Sequence, residues 1–375
     1  MENHFYIEKK NIVPLLSAFQ PLCTKRTTLD ITAHILVQSS NRELVLKGTD
    51  LEVSLQASCA VTESKTTTTE SFLVPGRRMF ESIKEMEGGI TCALVDNQLV
   101  LQSDGADLRL NIKNPDEFPP FPERIENLMH LHASDFLAML DHTMFLIPQN
   151  NSNPALNGLL LELSPEGLRL TATDGHSLIN LQTDKYQYEK PLSWLLPRRA
   201  IFELKKLVES TSCQTLFVGT CDGQVVFSGE LFNFFTRLIA QPFPDYRPVM
   251  DCSNFFEGNV DRSQLLRALR RAACLLSGNF LATRFLFTHE DLRIRMENKG
   301  VGTLDERIPV TIANLEEDQE VRFYAPYLID GLQVFSQQRL KFFIKNSTRP
   351  IMCETQENGC TIRYLVMPVA PQSNR

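Results

Sequence analysis

Residues 44–55 read Leu-Val-Leu-Lys-Gly-Thr-Asp-Leu-Glu-Val-Ser-Leu, and residues 168–179 read Leu-Arg-Leu-Thr-Ala-Thr-Asp-Gly-His-Ser-Leu-Ile. In each stretch apolar and polar residues alternate up to a Thr-Asp pair, and a second alternating run follows, which predicts two β-strands joined by a tight turn. The two aspartates, Asp50 and Asp174, lie 124 residues apart. Residues 292–297 look like a third, degraded copy, in which Glu297 follows Asp174 by 123 residues.

Two further landmarks recur at a similar interval. An Arg-Arg pair opens a helix-like segment at 77–86 and again at 198–207, and a Phe-Pro turn occurs at 118–119 and at 243–244. Three independent spacings therefore agree on about 125 residues, which is one third of the 375-residue chain. Agreement at a fixed period is the signature of a repeated unit. We predict three equivalent domains, residues 1–125, 126–250 and 251–375.

Short alternating strands dominate each unit, and two segments with helical periodicity interrupt them. The predicted helices cover residues 8–20, 77–87, 134–147, 198–209, 262–277 and 325–336. Asp261 and Gln264 have the spacing of a capping pair at the start of the fifth helix. The pattern predicts α+β domains and not alternating βαβ units.

Composition excludes several classes of protein. Hydrophobic residues make up 43% and charged residues 22% of the chain, as in ordinary globular proteins. The nine cysteines include no Cys-x-x-Cys pair, which argues against a disulfide framework and a zinc site. No apolar run approaches 18 residues and the N-terminus lacks a signal-peptide core, so we expect a cytoplasmic protein without a membrane partner. His130 and His132 have no third metal ligand nearby, and no metal or cofactor is expected.

The net charge of −7 argues weakly against nucleic acid as a partner, because it does not say where the charges lie. On a helical wheel, the predicted helix at 198–208 places its basic residues opposite its apolar ones. The helices at 77–86 and 262–277 repeat this separation. One such helix is most simply a solvated surface, but three equivalent ones suit contact with a phosphate backbone, without sequence readout.

The sequence lacks the common catalytic motifs. It has no Gly-x-x-x-x-Gly-Lys-Ser/Thr loop, no Gly-x-Gly-x-x-Gly fingerprint and no Gly-x-Ser-x-Gly elbow. Asp174 with His176 is the best candidate for acid–base chemistry. Thr49-Asp50 recurs at the same place in the first unit without the histidine, which favours a structural turn.

With these residues together, the whole chain resembles the bacterial replicative sliding clamp family, the beta subunit of DNA polymerase III. The motifs that carry the resemblance are Leu46-Lys47-Gly48-Thr49-Asp50-Leu51-Glu52, Leu156-Asn157-Gly158, Ala172-Thr173-Asp174-Gly175-His176, Phe243-Pro244-Asp245-Tyr246 and Val366-Met367-Pro368. Each motif alone would be weak, but their order and spacing are specific.

The resemblance implies a non-catalytic, head-to-tail homodimeric ring of six domains, with helices lining the hole and sheets forming the outer wall. Such a ring tethers the replicative polymerase to double-stranded DNA, and an ATP-dependent clamp loader opens it. The implied DNA-contacting residues are Lys25, Arg26, Arg77, Arg78, Arg198, Arg199, Arg267 and Arg271. The implied seam between subunits pairs Leu108 and Leu110 with Leu275 and Leu276.

The resemblance also implies a pocket for short peptides of the Gln-Leu-x-Leu-Phe type from polymerases, the loader and repair proteins. The matching positions are Leu156, Thr173, Gly175, His176, Leu178, Pro244, Val249, Phe280, Tyr324, Tyr327, Val366, Met367 and Pro368. The chain departs from the family pattern at Ser177, Pro248, Tyr324 and Ala370, and a tail, Pro371–Arg375, follows. These departures affect the pocket rim and not the fold.

Two alternatives remain at this point. An enzyme that uses Asp174 and His176 would lose turnover on His176→Ala, but it leaves the threefold repeat unexplained. A protein-interaction scaffold that never encircles DNA would be indifferent to neutralisation of the basic helix faces.

Overall fold

The computed structural model describes residues 4–25, 27–64, 69–103, 105–277 and 281–369. The helices of this part of the chain are α1 (Lys9–Thr24), α2 (Gly76–Glu85), α3 (Ala133–Thr143), α4 (Arg198–Ser210), α5 (Arg247–Met250), α6 (Arg262–Ala273) and α7 (Ala325–Gln333). All six predicted helices are present, with ends shifted by a few residues, and the single turn α5 was not predicted. The predicted cap of α6 is confirmed, since the Asp261 carboxylate accepts a hydrogen bond from the Gln264 amide at 2.8 Å.

The strands fall into three groups. The first is β1 (His4–Glu8), β2 (His34–Ser39), β3 (Glu43–Thr49), β4 (Val53–Ala60), β5 (Glu63–Ser64), β6 (Glu70–Pro75), β7 (Gly89–Val95), β8 (Gln98–Ser103) and β9 (Ala106–Asn111). The second is β10 (Glu126–His132), β11 (Gly158–Ser164), β12 (Gly167–Thr173), β13 (Ser177–Thr183), β14 (Leu192–Pro197), β15 (Thr215–Cys221), β16 (Gln224–Ser228) and β17 (Phe232–Thr236). The third is β18 (Phe256–Asp261), β19 (Thr283–Phe287), β20 (Asp291–Asn298), β21 (Gly302–Ile312), β22 (Gln319–Phe323), β23 (Arg339–Ile344), β24 (Ile351–Glu357) and β25 (Cys360–Val366).

The order of elements repeats three times. Each repeat has one strand, a helix, a set of four strands, a second helix and three strands, and the first repeat adds the short β5. The helix pairs are α1 and α2, α3 and α4, and α6 and α7. This confirms the α+β class and the threefold repeat that the landmark spacings predict.

Each repeat builds two antiparallel sheets in the same way. The opening strand and the last three strands form one sheet, in the orders β1-β7-β8-β9, β10-β15-β16-β17 and β18-β23-β24-β25. The middle four strands form the other, in the orders β4-β3-β2-β6, β13-β12-β11-β14 and β21-β20-β19-β22. In the third repeat β18 also pairs with the end of β21, which joins its two sheets.

The sheets continue from one repeat into the next. The last strand of the second repeat, β17, pairs with β4 of the first, and β25 of the third pairs with β13 of the second. The two sheets of the second repeat are therefore hydrogen-bonded to different neighbours, one to the first repeat and one to the third. The chain clusters into two compact units, one of Met1–Leu137 with Arg199–Leu238 and one of Ala138–Arg198 with Ile239–Arg375. The first holds a five-stranded and an eight-stranded sheet, and the second a twelve-stranded sheet.

The helices bury the faces that their periodicity predicts. In α4 the buried residues are Ala200, Ile201, Leu204, Leu207 and Val208. In α6 they are Leu265, Leu266, Ala268, Leu269 and Ala272. The predicted apolar residue Leu276 lies beyond the end of α6 and is only half-buried. Since each helix has one apolar face and one charged face, burial of the first fixes which side carries the basic residues.

Helix α7 lies close to strand β25 because Gly331 has no side chain. A Cβ atom at Gly331 would collide with the ring of Tyr364, which is 1% exposed. The Tyr364 hydroxyl donates to the Tyr327 carbonyl oxygen at 2.6 Å, so the same ring fixes the first turn of α7. A fully buried ring cannot move aside without disturbing its neighbours.

We expect Gly331→Ala to lower the thermal unfolding midpoint by several degrees. Overpacking a closed site costs about 1–3 kcal/mol, which exceeds the gain of roughly 1 kcal/mol from replacing a helical glycine. Gly300→Ala is the control, because that glycine is exposed and its nearest neighbour, Asn298 Oδ1, lies 3.7 Å from the added atom. Calorimetry of both variants measures the effect, and a Gly331→Ala midpoint at or above the wild-type value would contradict this account.

Candidate docking cleft and basic helix faces

The two Thr-Asp motifs form the same turn. In the second repeat, the Asp174 carboxylate accepts hydrogen bonds from the amides of His176 at 2.8 Å and Ser177 at 2.7 Å. In the first repeat, the Asp50 carboxylate accepts from Glu52 at 3.0 Å and Val53 at 2.8 Å. The carboxylates therefore hold the chain reversal between two strands. This supports the structural interpretation of Asp174.

The third position of this turn needs a left-handed backbone. It is Gly175 with φ of 94° in the second repeat and Leu51 with φ of 75° in the first. Glycine adopts this conformation without strain, whereas leucine does not. An added Cβ at Gly175 would meet Leu156 Cδ1 at 3.7 Å, an ordinary contact, so backbone conformation and not crowding favours glycine here. The second repeat thus has an unstrained turn where the first has a strained one.

The turn at Gly175 places His176 beside the aromatic residues of α7. The His176 ring stacks on Tyr327 with 5.3 Å between ring centroids and 11° between planes. Tyr324 meets Tyr327 edge to face at 5.0 Å. The Met367 amide donates to the His176 carbonyl oxygen at 2.9 Å. We call the surface formed by Leu156, Gly175, His176, Tyr324, Tyr327 and Met367 the docking cleft.

An apolar cluster includes residues close in sequence to Leu156 and Gly175. Its buried members are Ala155, Leu160, Leu178, Leu195, Tyr246 and Leu365, and Ile239, Phe243, Val249 and Met250 pack against it. Leu178 belongs to the cluster and Val249 packs against it, and their place in a peptide pocket stays a prediction. Tyr246 is fixed by a hydrogen bond from its hydroxyl to Glu162 Oε2 at 2.6 Å.

Large apolar side chains are exposed at the cleft and near it. Met367 and Phe145 are large apolar residues that remain 37% exposed. The Phe145 ring lies 6.1 Å from that of Tyr364, which holds Tyr327 in place. Exposed apolar side chains beside aromatic rings are typical of protein-binding sites. Phe145 was not among the predicted pocket residues, because it falls at the end of a predicted helix, where a core position and a surface position give the same pattern.

The remaining predicted pocket residues have varied positions. Val366 is fully buried in β25 opposite Ser177, and Thr173 is buried in β12. Pro368 is half-buried after Met367, and Pro244 is exposed. Phe280 lies outside the described residues, so its predicted place in the pocket stays a prediction.

The basic faces of α2 and α6 are exposed as predicted. Arg77 and Arg78 are 66% and 71% exposed, and both bond to Glu81, at 2.7 and 3.1 Å. Arg267 is exposed on α6, and Arg271 forms two hydrogen bonds with Glu306. Ion pairs at an open surface are weak, so these guanidinium groups stay available to an anionic ligand.

Arg199 and Lys25 bind other groups of the protein itself. Arg199 donates to Asp50, to Glu203 at 2.7 Å and to the Pro21 carbonyl oxygen at 3.1 Å. Lys25 lies 3.4 Å from Asp50 and 2.5 Å from Glu52. These two cations hold the first-repeat turn, and their contact with DNA stays a prediction.

Arg198 donates to the Ile147 carbonyl oxygen at 3.0 Å. Arg26 lies outside the described residues. Contact of either arginine with DNA also stays a prediction.

Burial by itself would raise the pKa of the Asp50 carboxyl. Hydrogen bonds from the Val53 and Glu52 amides and from Arg199 outweigh burial and lower that pKa below its usual value. At Glu203 burial outweighs the charge of Arg199, so the pKa of the Glu203 carboxyl is raised. Asp50 is therefore the carboxylate whose negative charge holds Arg199 and Lys25 in place.

We expect Asp50→Asn to destabilise the protein by about 1–3 kcal/mol at pH 7, because it removes a charge-assisted buried hydrogen bond. A lowered folded-state pKa stabilises the fold above the unfolded pKa of roughly 3.9, and this stabilisation is lost as pH falls through the folded pKa. The gap between wild type and variant should therefore narrow below about pH 4 in urea titrations. Asp174→Asn, with the same turn but no arginine within ion-pair distance among the described residues, should show a smaller change. A pH-independent gap would contradict this assignment.

Two of the predicted seam residues lie on an edge strand, and the other two follow helix α6. Leu108 and Leu110 are half-buried on β9, which pairs only with β8 among the described strands. Leu275 and Leu276 follow α6 and are also half-buried. The Leu275 carbonyl oxygen accepts from Asn298 at 2.6 Å, which fixes this segment beside β20.

The described part of the chain contains no helix long and apolar enough to cross a bilayer. It also contains no group of three His, Cys, Asp or Glu side chains that could hold a metal ion.

Comparison with known proteins gives a consistent result along the chain. Residues 3–122, 130–245 and 256–370 match the family models for the N-terminal, central and C-terminal domains of the DNA polymerase III beta subunit. The beta sliding clamp of Pseudomonas aeruginosa is 26% identical, over 98% of this chain and 99% of its own. That of Chlamydia muridarum is 24% identical, over 92% of this chain and 94% of its own.

Solved structures show the same fold. The DNA polymerase sliding clamp of Pseudomonas aeruginosa superimposes with a TM-score of 0.86 at 23% identity and covers 98% of this chain and 100% of its own. The DNA polymerase beta subunit of Streptococcus pyogenes gives a TM-score of 0.87 at 19% identity, with the same coverage.

Proposed function

The chain belongs to the DNA polymerase III beta subunit family, and on that premise we propose that two copies close head to tail into a ring around double-stranded DNA. The protein is a DNA sliding clamp, a processivity factor without catalytic activity. A closed ring cannot leave closed DNA by sliding, so it needs little affinity for any sequence. It holds the replicative polymerase at a high effective concentration near the primer end.

The observation that carries the ring is the way the repeats join. The last strand of a repeat pairs with the strand at the edge of the second sheet of the preceding repeat, as β17 does with β4 and β25 with β13. By the same rule β9 requires a partner like β21, and among the described strands residues 106–111 and 302–309 each keep one edge unpaired. A donor edge and an acceptor edge on one chain favour a heterologous interface that closes after two subunits. We place the seam residues Leu108, Leu110, Leu275 and Leu276 there.

The basic helix faces support contact with DNA. Arginine and lysine on repeated helices would bind phosphates and give no base readout. We assign this role to Arg77, Arg78, Arg267 and Arg271, and with them Lys25, Arg26, Arg198 and Arg199. The alternative is a scaffold that uses the docking cleft but never encircles DNA.

The docking cleft supports binding of short partner segments. We propose that the replicative polymerase, the clamp loader and other replication and repair polymerases insert apolar side chains of a Gln-Leu-x-Leu-Phe-type segment there. The exposed Met367 and the stacked His176 and Tyr327 form its rim. We further propose that the protein acts in the cytoplasm, at the nucleoid, and that the domains meet at residues 125/126 and 250/251.

We expect Leu108→Glu with Leu110→Glu to convert a dimer to monomers, because two buried carboxylates would face an apolar edge. Sedimentation velocity at several concentrations measures the change. Leu231→Glu is the control, since Leu231 is an exposed leucine, 42% accessible, outside β9. If wild type is monomeric at all concentrations and stays so with primed DNA and loader, or if the double variant remains a dimer, the proposed seam is wrong.

We expect the triple variant Arg77→Gln, Arg78→Gln and Arg267→Gln to shorten primer-extension products in a reconstituted polymerase assay. Loss of each phosphate contact should also reduce the salt dependence of DNA retention by about 0.9 in log–log slope. The control neutralises three exposed arginines elsewhere, Arg42→Gln, Arg339→Gln and Arg349→Gln. Wild-type protein should stay on circular DNA and leave after linearisation, and a scaffold would show neither effect.

A further inference from the structure

Three arginines lie in a row across the third repeat. In the sheet register Arg284 of β19 stands directly opposite Arg322 of β22 on one side and Arg295 of β20 on the other. Arg284 and Arg295 are exposed and Arg322 is half-buried, whereas the alternate residues Phe285 and Phe323 are buried on the opposite face. We call Arg322, Arg284 and Arg295 the arginine row. Neighbouring strands are about 4.8 Å apart, so the row presents three cations within about 10 Å.

The row is incompletely neutralised. Arg295 lies 3.3 Å from Asp305, which also pairs with Arg293. Among the described residues, no carboxylate lies within 4.0 Å of the guanidinium of Arg284 or Arg322. Like charges directly opposite in a sheet destabilise it. An anionic partner that covered the row would relieve the repulsion between these arginines.

The other two repeats show what occupies this position. The equivalent rows are Leu73–Leu36–Lys47 in the first repeat and Leu195–Leu160–Thr171 in the second. A following segment of polypeptide packs on each. In the first repeat, the Lys47 ammonium lies 5.4 Å from the centre of the Phe121 ring. In the second, Tyr246 and Ile239 pack against Leu160 and Leu195.

A main-chain hydrogen bond begins each covering segment. Leu73 exchanges hydrogen bonds with Lys113, and the Ile239 amide donates to the Leu195 carbonyl oxygen at 2.9 Å. In the third repeat the Val369 amide donates to the Arg322 carbonyl oxygen at 2.8 Å. The same geometry therefore marks the arginine row as a place where polypeptide crosses the sheet.

The row adjoins the docking cleft. Met367 is bonded through its amide to His176 in the cleft, and Val369 is bonded to Arg322 in the row. Two residues of extended chain span at most about 7 Å, so one short segment connects the two surfaces. A partner segment only a few residues longer than one that fills the cleft would reach the row.

We propose that the arginine row binds an acidic stretch that flanks the docking segment of a partner protein. This inference rests on the proposed docking function of the cleft. The guanidinium fork matches carboxylates in two-point contacts. Polypeptide is favoured over nucleic acid, because polypeptide segments cover the equivalent rows of the other two repeats.

The test uses two fluorescent peptides with the same Gln-Leu-Ser-Leu-Phe core, one followed by four glutamates and one by four glutamines. Anisotropy titrations of the full-length protein at 50 and 300 mM NaCl compare them. We expect the acidic flank to tighten binding about three- to tenfold at low salt, and screening to remove most of that gain at high salt. Arg284→Gln with Arg295→Gln and Arg322→Gln should abolish the gain and leave the neutral peptide unchanged. The control is Arg42→Gln with Arg339→Gln and Arg349→Gln, which should behave as wild type.

Each outcome separates the row from the cleft. If the neutral peptide binds and the glutamates add nothing, or if their gain survives in the row variant, the inference is overturned while the docking function stands. Peptides with the flank at the N-terminal side of the core are included, so that the direction of the segment does not decide the result. If none of the peptides binds, the docking function fails and the inference fails with it. If single-stranded oligo-dT binds the row and displaces the acidic peptide at equal charge, the row is a nucleic-acid site.

Discussion

The main-chain pairing of β17 with β4 and of β25 with β13 is the constraint on which the rest of the structure depends. It makes each sheet of the second repeat an extension of a neighbouring repeat. The two compact units of the chain follow from it, since hydrogen-bonded strands cannot be separated without exposing unpaired amides. Among the strands that the structure describes, it also leaves one edge of β9 and part of one edge of β21 unpaired, and such edges are either protected or used for association.

The repeated fold gives the chain an internal control for function. The turn at Asp50 and the turn at Asp174 use the same amide hydrogen bonds, so the carboxylates are structural in both. The two copies differ in what surrounds the turn. In the first, Arg199 and Lys25 pair with a buried carboxylate, and in the second, Gly175 adopts its left-handed conformation without strain beside His176, which stacks on Tyr327. The divergence of equivalent positions is what points to the proposed docking cleft in the second repeat.

Like the docking cleft, the arginine row lies where equivalent positions of the repeats differ. Leucines occupy two of the three positions in each covered row of the first two repeats, and arginines occupy all three positions of the row in the third. In the proposed docking interaction, aromatic and apolar groups of the cleft supply contact area and the adjacent cations supply charge recognition. The net charge of −7 does not reveal such a local group of cations.

The sequence by itself determined the threefold repeat, the α+β class, the six long helices and the apolar faces of α2, α4 and α6. These follow from local periodicity and from landmark spacing, which depend on residues near one another in the chain. Only the tertiary structure decided that Arg199 is bound to Asp50, that Phe145 lies beside Tyr364, and that Arg322, Arg284 and Arg295 stand opposite one another. Each of these depends on strand register or on contacts between distant segments. A helical wheel or an alternating pattern shows which face a residue occupies, but it does not show which residue from another strand will lie opposite.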